Sequence, residues 1–198
     1  MRTLIVLNGE LGSATYLKKL SLDFDYIICA DGGYDNAIKA DITPNILLGD
    51  LDSCKSSDFN GERITFPAEK DKTDGELAIE EAFLRGADEV VLTCALGGRY
   101  DHMLANLYLL LKYNNVYISE HNQSIYYIND LFKISDKQGA TASLIPIYDS
   151  VVSVTGFKYE TENAKFYRGS TLGMSNIIYD NHATIDVKSG GLFLFINE

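Results

Sequence analysis

Short apolar runs recur along the first part of the chain, with room for a helix between most of them. The runs at 4–7, 26–30, 46–48, 63–66, 90–96 and 116–119 are rich in Ile, Val and Leu. Successive apolar positions are the pattern of strands covered on both faces, as in a parallel sheet. Between the runs, segments 14–20, 34–40, 73–85 and 101–112 carry helical spacing. In the third, Ile79, Ala82 and Phe83 supply one apolar face. Thr73-x-x-Glu76 opens that helix as a capping box, and Gly86 follows it as a C-terminal cap. In the fourth, Leu104, Leu107, Tyr108 and Leu111 form the predicted buried stripe. The alternation predicts right-handed strand–helix–strand crossovers.

From about Gln123 the pattern changes, and no helical spacing returns before Glu198. Runs at 124–128, 142–147, 151–154, 177–179, 183–187 and 191–196 are short, β-prone and separated by Gly, Asn, Asp and Ser. The expected fold is therefore α/β: an N-terminal, mainly parallel-sheet α/β domain over 1–122, then a C-terminal all-β sandwich domain over 123–198.

The polar clusters obey a rule on this reading. Asp31-Gly32-Gly33, Gly49-Asp50-Leu51-Asp52-Ser53, Lys70 to Asp74, and Gly97 to His102 each follow the carboxyl end of a predicted strand. Open α/β sheets bind ligands at that edge. Asp50 and Asp52, two apart beside a glycine, suit a hard cation such as Mg²⁺, which keeps waters and takes further ligands from substrate phosphates. Asp31, Asp71, Asp74 and Asp101 complete or flank such a site. So many carboxylates raise one another's pKa values unless cations share the pocket, and Lys70, Lys72 and Arg99 are the chain's own. Gly97-Gly98 before a helix start offers backbone N–H groups to an anion. Neither GxGxxG nor GxxxxGK[ST] is present, so a dinucleotide fold or P-loop is not supported. Taken singly, these residues also read as turn and cap residues, His102 as a helix-start residue and Tyr159 as an ordinary strand aromatic.

Composition narrows the ligand. The net charge of -11 and pI of about 4.7 argue against a nucleic-acid partner and raise the question of how so acidic a chain holds an anion. Divalent cations answer it. The N-terminal apolar run is too short for a membrane span, so no membrane partner is expected. Cys29, Cys54 and Cys94 form no CxxC pair and read as free thiols, which points to the cytoplasm.

At these residues the chain resembles a known family. DGG at 31–33, P-N-x-x-x-GDLDS at 44–53, KDKTDGELA at 70–78 and GGRYDHMLANLYLL at 97–110 are similar, in order, to the signature of thiamine pyrophosphokinases. Gly156-Phe157-Lys158-Tyr159 and the segment from Ser170 to Asn176 resemble that family's GLKW/Y and S-x-G-x-SN segments. The resemblance implies transfer of a pyrophosphoryl group from ATP to the hydroxyl of thiamine, giving thiamine diphosphate and AMP, with Mg²⁺. It also implies a homodimer with sites at the subunit interface. It makes Asp50, Asp52 and Asp74 metal or metal-water ligands, and places Asp31, Gly32, Gly33, Lys70, Asp71, Thr73, Gly97, Gly98, Arg99, Asp101 and His102 at the ATP site. Tyr159, Ser175 and Asn176 then hold thiamine, from the partner subunit. Some members carry Trp where this chain has Tyr159, and this chain has no Trp. Tyr also stacks on a cationic ring, less strongly than Trp. A Mg-dependent nucleotide pyrophosphohydrolase and a non-catalytic nucleotide or thiamine sensor are the alternatives. The hydrolase would leave Ser175 and Asn176 unexplained, and a sensor has little use for so many carboxylates.

Overall fold

The computed structural model describes residues 1–50, 59–67 and 69–198. The chain divides into two compact units, Met1–His121 and Asn122–Glu198.

In the first unit the elements are β1 (Arg2–Val6), α1 (Ala14–Ser21), β2 (Tyr26–Ala30), α2 (Gly33–Lys39), β3 (Ile46–Gly49), β4 (Glu62–Thr65), α3 (Asp74–Leu84), β5 (Glu89–Thr93), α4 (Tyr100–Lys112) and β6 (Val116–Glu120). The strands run β6-β5-β1-β2-β3-β4, and every pairing among them is parallel. Leu4, Ile5 and Val6 on β1 and Val90, Val91 and Leu92 on β5 are fully buried, as strands covered on both faces require. The fold expected from the apolar runs is the fold observed.

Two helix faces differ in detail. On α3, Gly75, Ala78, Ile79 and Ala82 are the buried residues. Phe83 is half-buried and stacks on Tyr113, ring centroids 6.2 Å apart. On α4 the expected stripe is wrong: Leu104 and Tyr108 are 52% and 53% exposed, and the buried residues are Leu109 and Leu110. The sequence from Met103 to Leu111 is apolar almost all round, so its spacing does not choose a face.

The second unit contains only strands: β7 (Gln123–Ile128), β8 (Leu131–Ser135), β9 (Thr141–Pro146), β10 (Ser150–Thr155), β11 (Thr161–Phe166), β12 (Gly173–Ile177), β13 (His182–Ser189) and β14 (Leu192–Asn197). One layer is ordered β12-β9-β14-β7 and the other β11-β10-β13-β8, with antiparallel pairing throughout. Leu144, Leu192 and Leu194 from the first layer and Val152, Val154 and Ile185 from the second share one buried core. β8 and β11 have no counterpart among the predicted runs. Both are edge strands, with exposed Lys133, Glu162, Asn163 and Lys165, and Asn163 has a positive φ of 50°. β11 is polar along most of its length, and β8 is only five residues with Phe132 and Ile134 toward the core around an exposed Lys133, so periodicity finds neither readily.

Gly33 sets how closely α2 approaches the sheet. A Cβ built there would lie 2.0 Å from the carbonyl oxygen of Val6 on β1, and backbone cannot step aside cheaply. Gly33→Ala is expected to cost about 1–3 kcal/mol, measured as a lower urea midpoint with an unchanged slope.

Candidate active site

The carboxyl edge of the first unit's sheet carries a cleft of about 470 Å³. The ends of β1, β2 and β5 and the first turns of α3 and α4 line it. Among the residues picked out from sequence, Asp31, Thr73, Asp74, Gly97, Gly98, Arg99 and His102 reach it. Gly32, Gly33, Asp50, Lys70, Asp71 and Asp101 do not line it directly. Asp52 lies outside the described residues, as do Leu51 and Ser53.

Each wall has a local cause. The amide of Asp31 donates to the carbonyl of Leu48 at 2.7 Å, and its φ of 48° turns the chain out of β2. Asp is among the few residues that take this conformation readily. Gly49 lies against Asp31: a Cβ there would stand 3.3 Å from the Asp31 backbone, so the chain leaving β3 passes the Asp31 wall just before Asp50. On α3, the Thr73 hydroxyl caps the amide of Glu76 at 3.2 Å, one half of the expected capping box, while the Glu76 carboxylate pairs with Lys112. Asp74 opens that helix and accepts from Lys70 at 2.8 Å, with the two side chains only 25% and 15% exposed. Lys70 reaches the site through this ion pair, with its ammonium 5.9 Å from the Phe66 ring centre. Asp71 is exposed.

The turn between β5 and α4 faces them. Gly97 and Gly98 have φ of 73° and 64°, and this backbone conformation is what requires glycine at Gly98, where a Cβ would meet nothing within 4 Å. Arg99 is the N-cap of α4 and makes no side-chain cap bond. Its guanidinium pairs with Asp101 at 2.6 Å, on side chains 72% and 65% exposed, a pair that contributes little stability. The Arg99 guanidinium holds the Asp101 carboxyl below the usual carboxylate range. Asp101 also accepts from the His102 amide at 3.0 Å.

Sequence reading missed three residues that hold these walls in place. Asn36, buried on α2, donates to the carbonyls of Leu7 and Gly9, both at 3.1 Å. Asn106 on α4 donates to the carbonyl of Ala95 at 2.9 Å and lines the cleft. Glu120 at the end of β6 accepts from the amides of Ala95 and Cys94 at 2.7 and 3.2 Å. For Asn106 the signal was a polar residue inside an apolar run; Asn36 beside Asp35 and Glu120 before His121 gave none. Burial pushes the Glu120 carboxyl up to about 7, against the amides of Ala95, Cys94 and Leu96, which pull it down. Burial also raises the Cys94 thiol to about 12, so it stays protonated.

The two cleft carboxylates, Asp31 and Asp74, are hard oxygen donors. Among the described residues no group of three His, Cys, Asp or Glu side chains is placed to cage a metal. That donor set suits a cation completing its shell with waters and phosphate oxygens, as Mg²⁺ does, rather than a closed structural site.

The second unit has a separate cavity of about 310 Å³, mostly apolar, with Phe157, Tyr159, Met174 and Asn176 in its wall. Asn176 ties itself to Tyr159 twice, accepting from its amide at 3.1 Å and donating to its carbonyl at 2.8 Å. Tyr159 is 62% exposed, with the Lys158 ammonium 5.4 Å from its ring centre. Ser175 is exposed, has φ of 57°, and donates its amide to the Ser143 hydroxyl at 3.0 Å. It does not line the cavity. No helix among the described residues is long and apolar enough to cross a membrane.

Two family models match the chain: "Thiamin pyrophosphokinase, catalytic domain" over residues 17–126, and "Thiamin pyrophosphokinase, vitamin B1 binding domain" over residues 131–192. A thiamine pyrophosphokinase of Bacillus subtilis is 30% identical over 181 residues, covering 84% of this chain and 85% of its own length. Thiamine pyrophosphokinase 2 of Arabidopsis thaliana is 26% identical over 234 residues, covering 94% and 82%. Among solved structures, a thiamin pyrophosphokinase of Geobacillus thermodenitrificans superposes with a TM-score of 0.86 at 29% identity, over 100% of this chain and 98% of its own. That of Candida albicans, at 19% identity, shares the fold with a TM-score of 0.82 over 99% and 88%.

The Glu120 carboxyl gives a pH signature. Its folded pKa of about 7 lies above the ordinary 4.5, so the folded state binds the extra proton between those values. The contribution to stability is complete below the unfolded value and is lost as pH rises through the folded one. Between about pH 5.5 and about pH 7.5 the unaltered chain should lose stability relative to Glu120→Gln, read as converging or crossing urea midpoints.

Proposed function

The chain belongs to the thiamin pyrophosphokinase family, its activity is that of a thiamine pyrophosphokinase, and from this premise we propose how its residues divide the work. The family's co-substrate is ATP, and the cleft of the first unit is its site in this reading. What carries the reading is the juxtaposition in one cleft of a glycine turn, a helix N-terminus and an exposed guanidinium with the carboxylates Asp31 and Asp74.

The reaction is transfer of the pyrophosphoryl group to the hydroxyl of thiamine. The hydroxyl oxygen attacks the β-phosphorus, the bond from that phosphorus to the α-phosphate bridging oxygen breaks, and AMP leaves. Gly97 and Gly98 turn the chain so that the α4 N-terminus meets the phosphates, and Arg99 supplies a fixed positive charge where negative charge builds. Thr73 and the first turn of α3 form the opposite wall, with Gly32 and Gly33 shaping the Asp31 wall from behind. Lys70 orients the Asp74 carboxylate through their ion pair. Asp74, Asp50 and Asp52 are the residues that would hold Mg²⁺, which when bound neutralises phosphate charge. The hydroxyl proton goes to Asp71 or Asp101; Asp101 is the weaker acceptor while paired with Arg99.

Tyr159, Ser175 and Asn176 hold thiamine in this reading. Two observations support it: Tyr159 and Asn176 share a cavity wall, and the vitamin B1 binding model spans residues 131–192. A partner subunit presents the acceptor, so the working form is a homodimer. The exposed Tyr100, Leu104 and Tyr108 of α4 give an apolar face that a second copy would cover. Cys29 and Cys94, buried and outside any disulfide, fit a reducing compartment such as the cytoplasm.

The direct assay mixes the full chain with ATP, magnesium and thiamine and resolves the products. AMP and thiamine diphosphate should form together and only when thiamine is present. Phosphate or pyrophosphate release without thiamine would point instead to the hydrolase. Arg99→Ala should lower kcat about 100-fold, leaving thiamine KM close to that of the unaltered chain. Tyr159→Ala should do the reverse, raising thiamine KM about tenfold through lost stacking with little change in ATP KM.

A further inference from the structure

Glu120 lies at the end of β6, behind the turn that leads to Gly97, and the reaction as described leaves it without a role. Its Oε1 accepts from the Ala95 amide at 2.7 Å and its Oε2 from the Cys94 amide at 3.2 Å. Cys94 has φ of 50°, a conformation most L residues avoid, and Cys94 and Ala95 are each 2% exposed. Amides so deeply buried need a hydrogen-bond acceptor. The carbonyls of the same segment are tied from other directions: Cys94 to the Gly9 amide at 2.7 Å, Ala95 to Asn106 at 2.9 Å, and Leu96 to the Glu10 amide at 2.9 Å.

We propose that Glu120 is a positioning residue for nucleotide binding, whose carboxylate clamps the amides of Cys94 and Ala95 so that Gly97, Gly98 and Arg99 meet the phosphates in a preset geometry. The proposal rests on the reading of the first unit's cleft as the ATP site. The clamp touches neither substrate. Without it, the two buried amides must find other partners, and the shortest route is to rotate the peptide groups between Thr93 and Leu96. That rotation is passed to Gly97, two residues beyond Ala95 and already in the cleft wall. A carboxyl group suits the task better than a hydroxyl, because its two oxygens serve two successive amides.

The test uses the full chain with magnesium, measuring ATP affinity by titration calorimetry and thiamine KM by product formation. Glu120→Ala should weaken ATP binding about tenfold while leaving thiamine KM within about twofold. Glu120→Gln keeps one acceptor oxygen, for the nearer Ala95 amide, and should recover ATP affinity to within about threefold of the unaltered chain. An ATP affinity in Glu120→Ala within about twofold of the unaltered chain overturns the proposal alone. Equal weakening toward ATP and thiamine also overturns it, since that marks a merely structural residue. Failure of the unaltered chain to bind ATP overturns the nucleotide reading, and the proposal with it. If Glu120→Ala does not fold, Glu120→Gln carries the same test: an ATP loss of about two- to threefold with thiamine KM unchanged supports the clamp, and an ATP affinity equal to that of the unaltered chain, or an equal loss toward both substrates, contradicts it.

Discussion

Hydrogen bonding that continues past the last rung of β1 organises the first unit's chemistry. Beyond Val6, the amides of Leu7 and Gly9 still donate to Thr93 and Cys94 on the β5 side, at 2.9 and 2.7 Å. Asn36 of α2 returns to the carbonyls of Leu7 and Gly9. A parallel sheet alone brings loops to one edge but does not fix their shape. Here the tip of the central strand ties the turn after β5 to the helix after β2. A Cβ on Gly9 would sit 2.3 Å from the Cys94 carbonyl oxygen, which shows how little slack that junction has. Asp31, Asp74, Gly98 and Arg99 arrive in one cleft because the backbone behind them is held in several directions at once.

The electrostatics follow from the same geometry. A chain of net charge -11 must accept polyphosphate, and it does not do so with a basic surface. The cations at the edge come already paired, Lys70 with Asp74 and Arg99 with Asp101. The Arg99 pair is exposed and weak, so a phosphate can displace its carboxylate at small cost. The Lys70 pair is more enclosed and holds the Asp74 carboxylate in place. Such an arrangement favours anions accompanied by a divalent cation over bare anions. The β-rich unit shows the complementary chemistry: a mostly apolar cavity with an aromatic ring and an amide in its wall, suited to a cationic heterocycle.

Much of this was legible in the amino-acid sequence, for identifiable reasons. Fully buried parallel strands leave continuous apolar runs, so β1, β2, β3 and β5 were readable, and the Thr73 cap announced α3. The polar clusters stood out because strand ends seldom carry so many charges. What escaped lacked periodic or compositional contrast. β11 is a polar edge strand, and β8 is an edge strand of five residues whose apolar run is broken by Lys133. The face of α4 was misread because Leu104 and Tyr108 are as apolar as Leu109 and Leu110. Gly33 looked like a ligand-binding glycine, yet its approach to Val6 is a packing requirement and it stays out of the cleft wall. Asn106 and Glu120 act on backbone atoms, and no side-chain pattern reports which amide a carboxylate will meet. The part of the metal expectation that falls on Asp52 lies outside the described residues.

The central claim is that the turn from Gly97 to Arg99, presented by the β1–β5 junction, receives the phosphates of ATP. A crystal structure of the full chain with magnesium and a non-hydrolysable ATP analogue tests it most directly. Phosphate oxygens are expected within hydrogen-bonding distance of the amides at the start of α4 and of the Arg99 guanidinium, with Asp74 on the opposite wall. Phosphates bound away from that turn, with the cleft of the first unit empty, would contradict it.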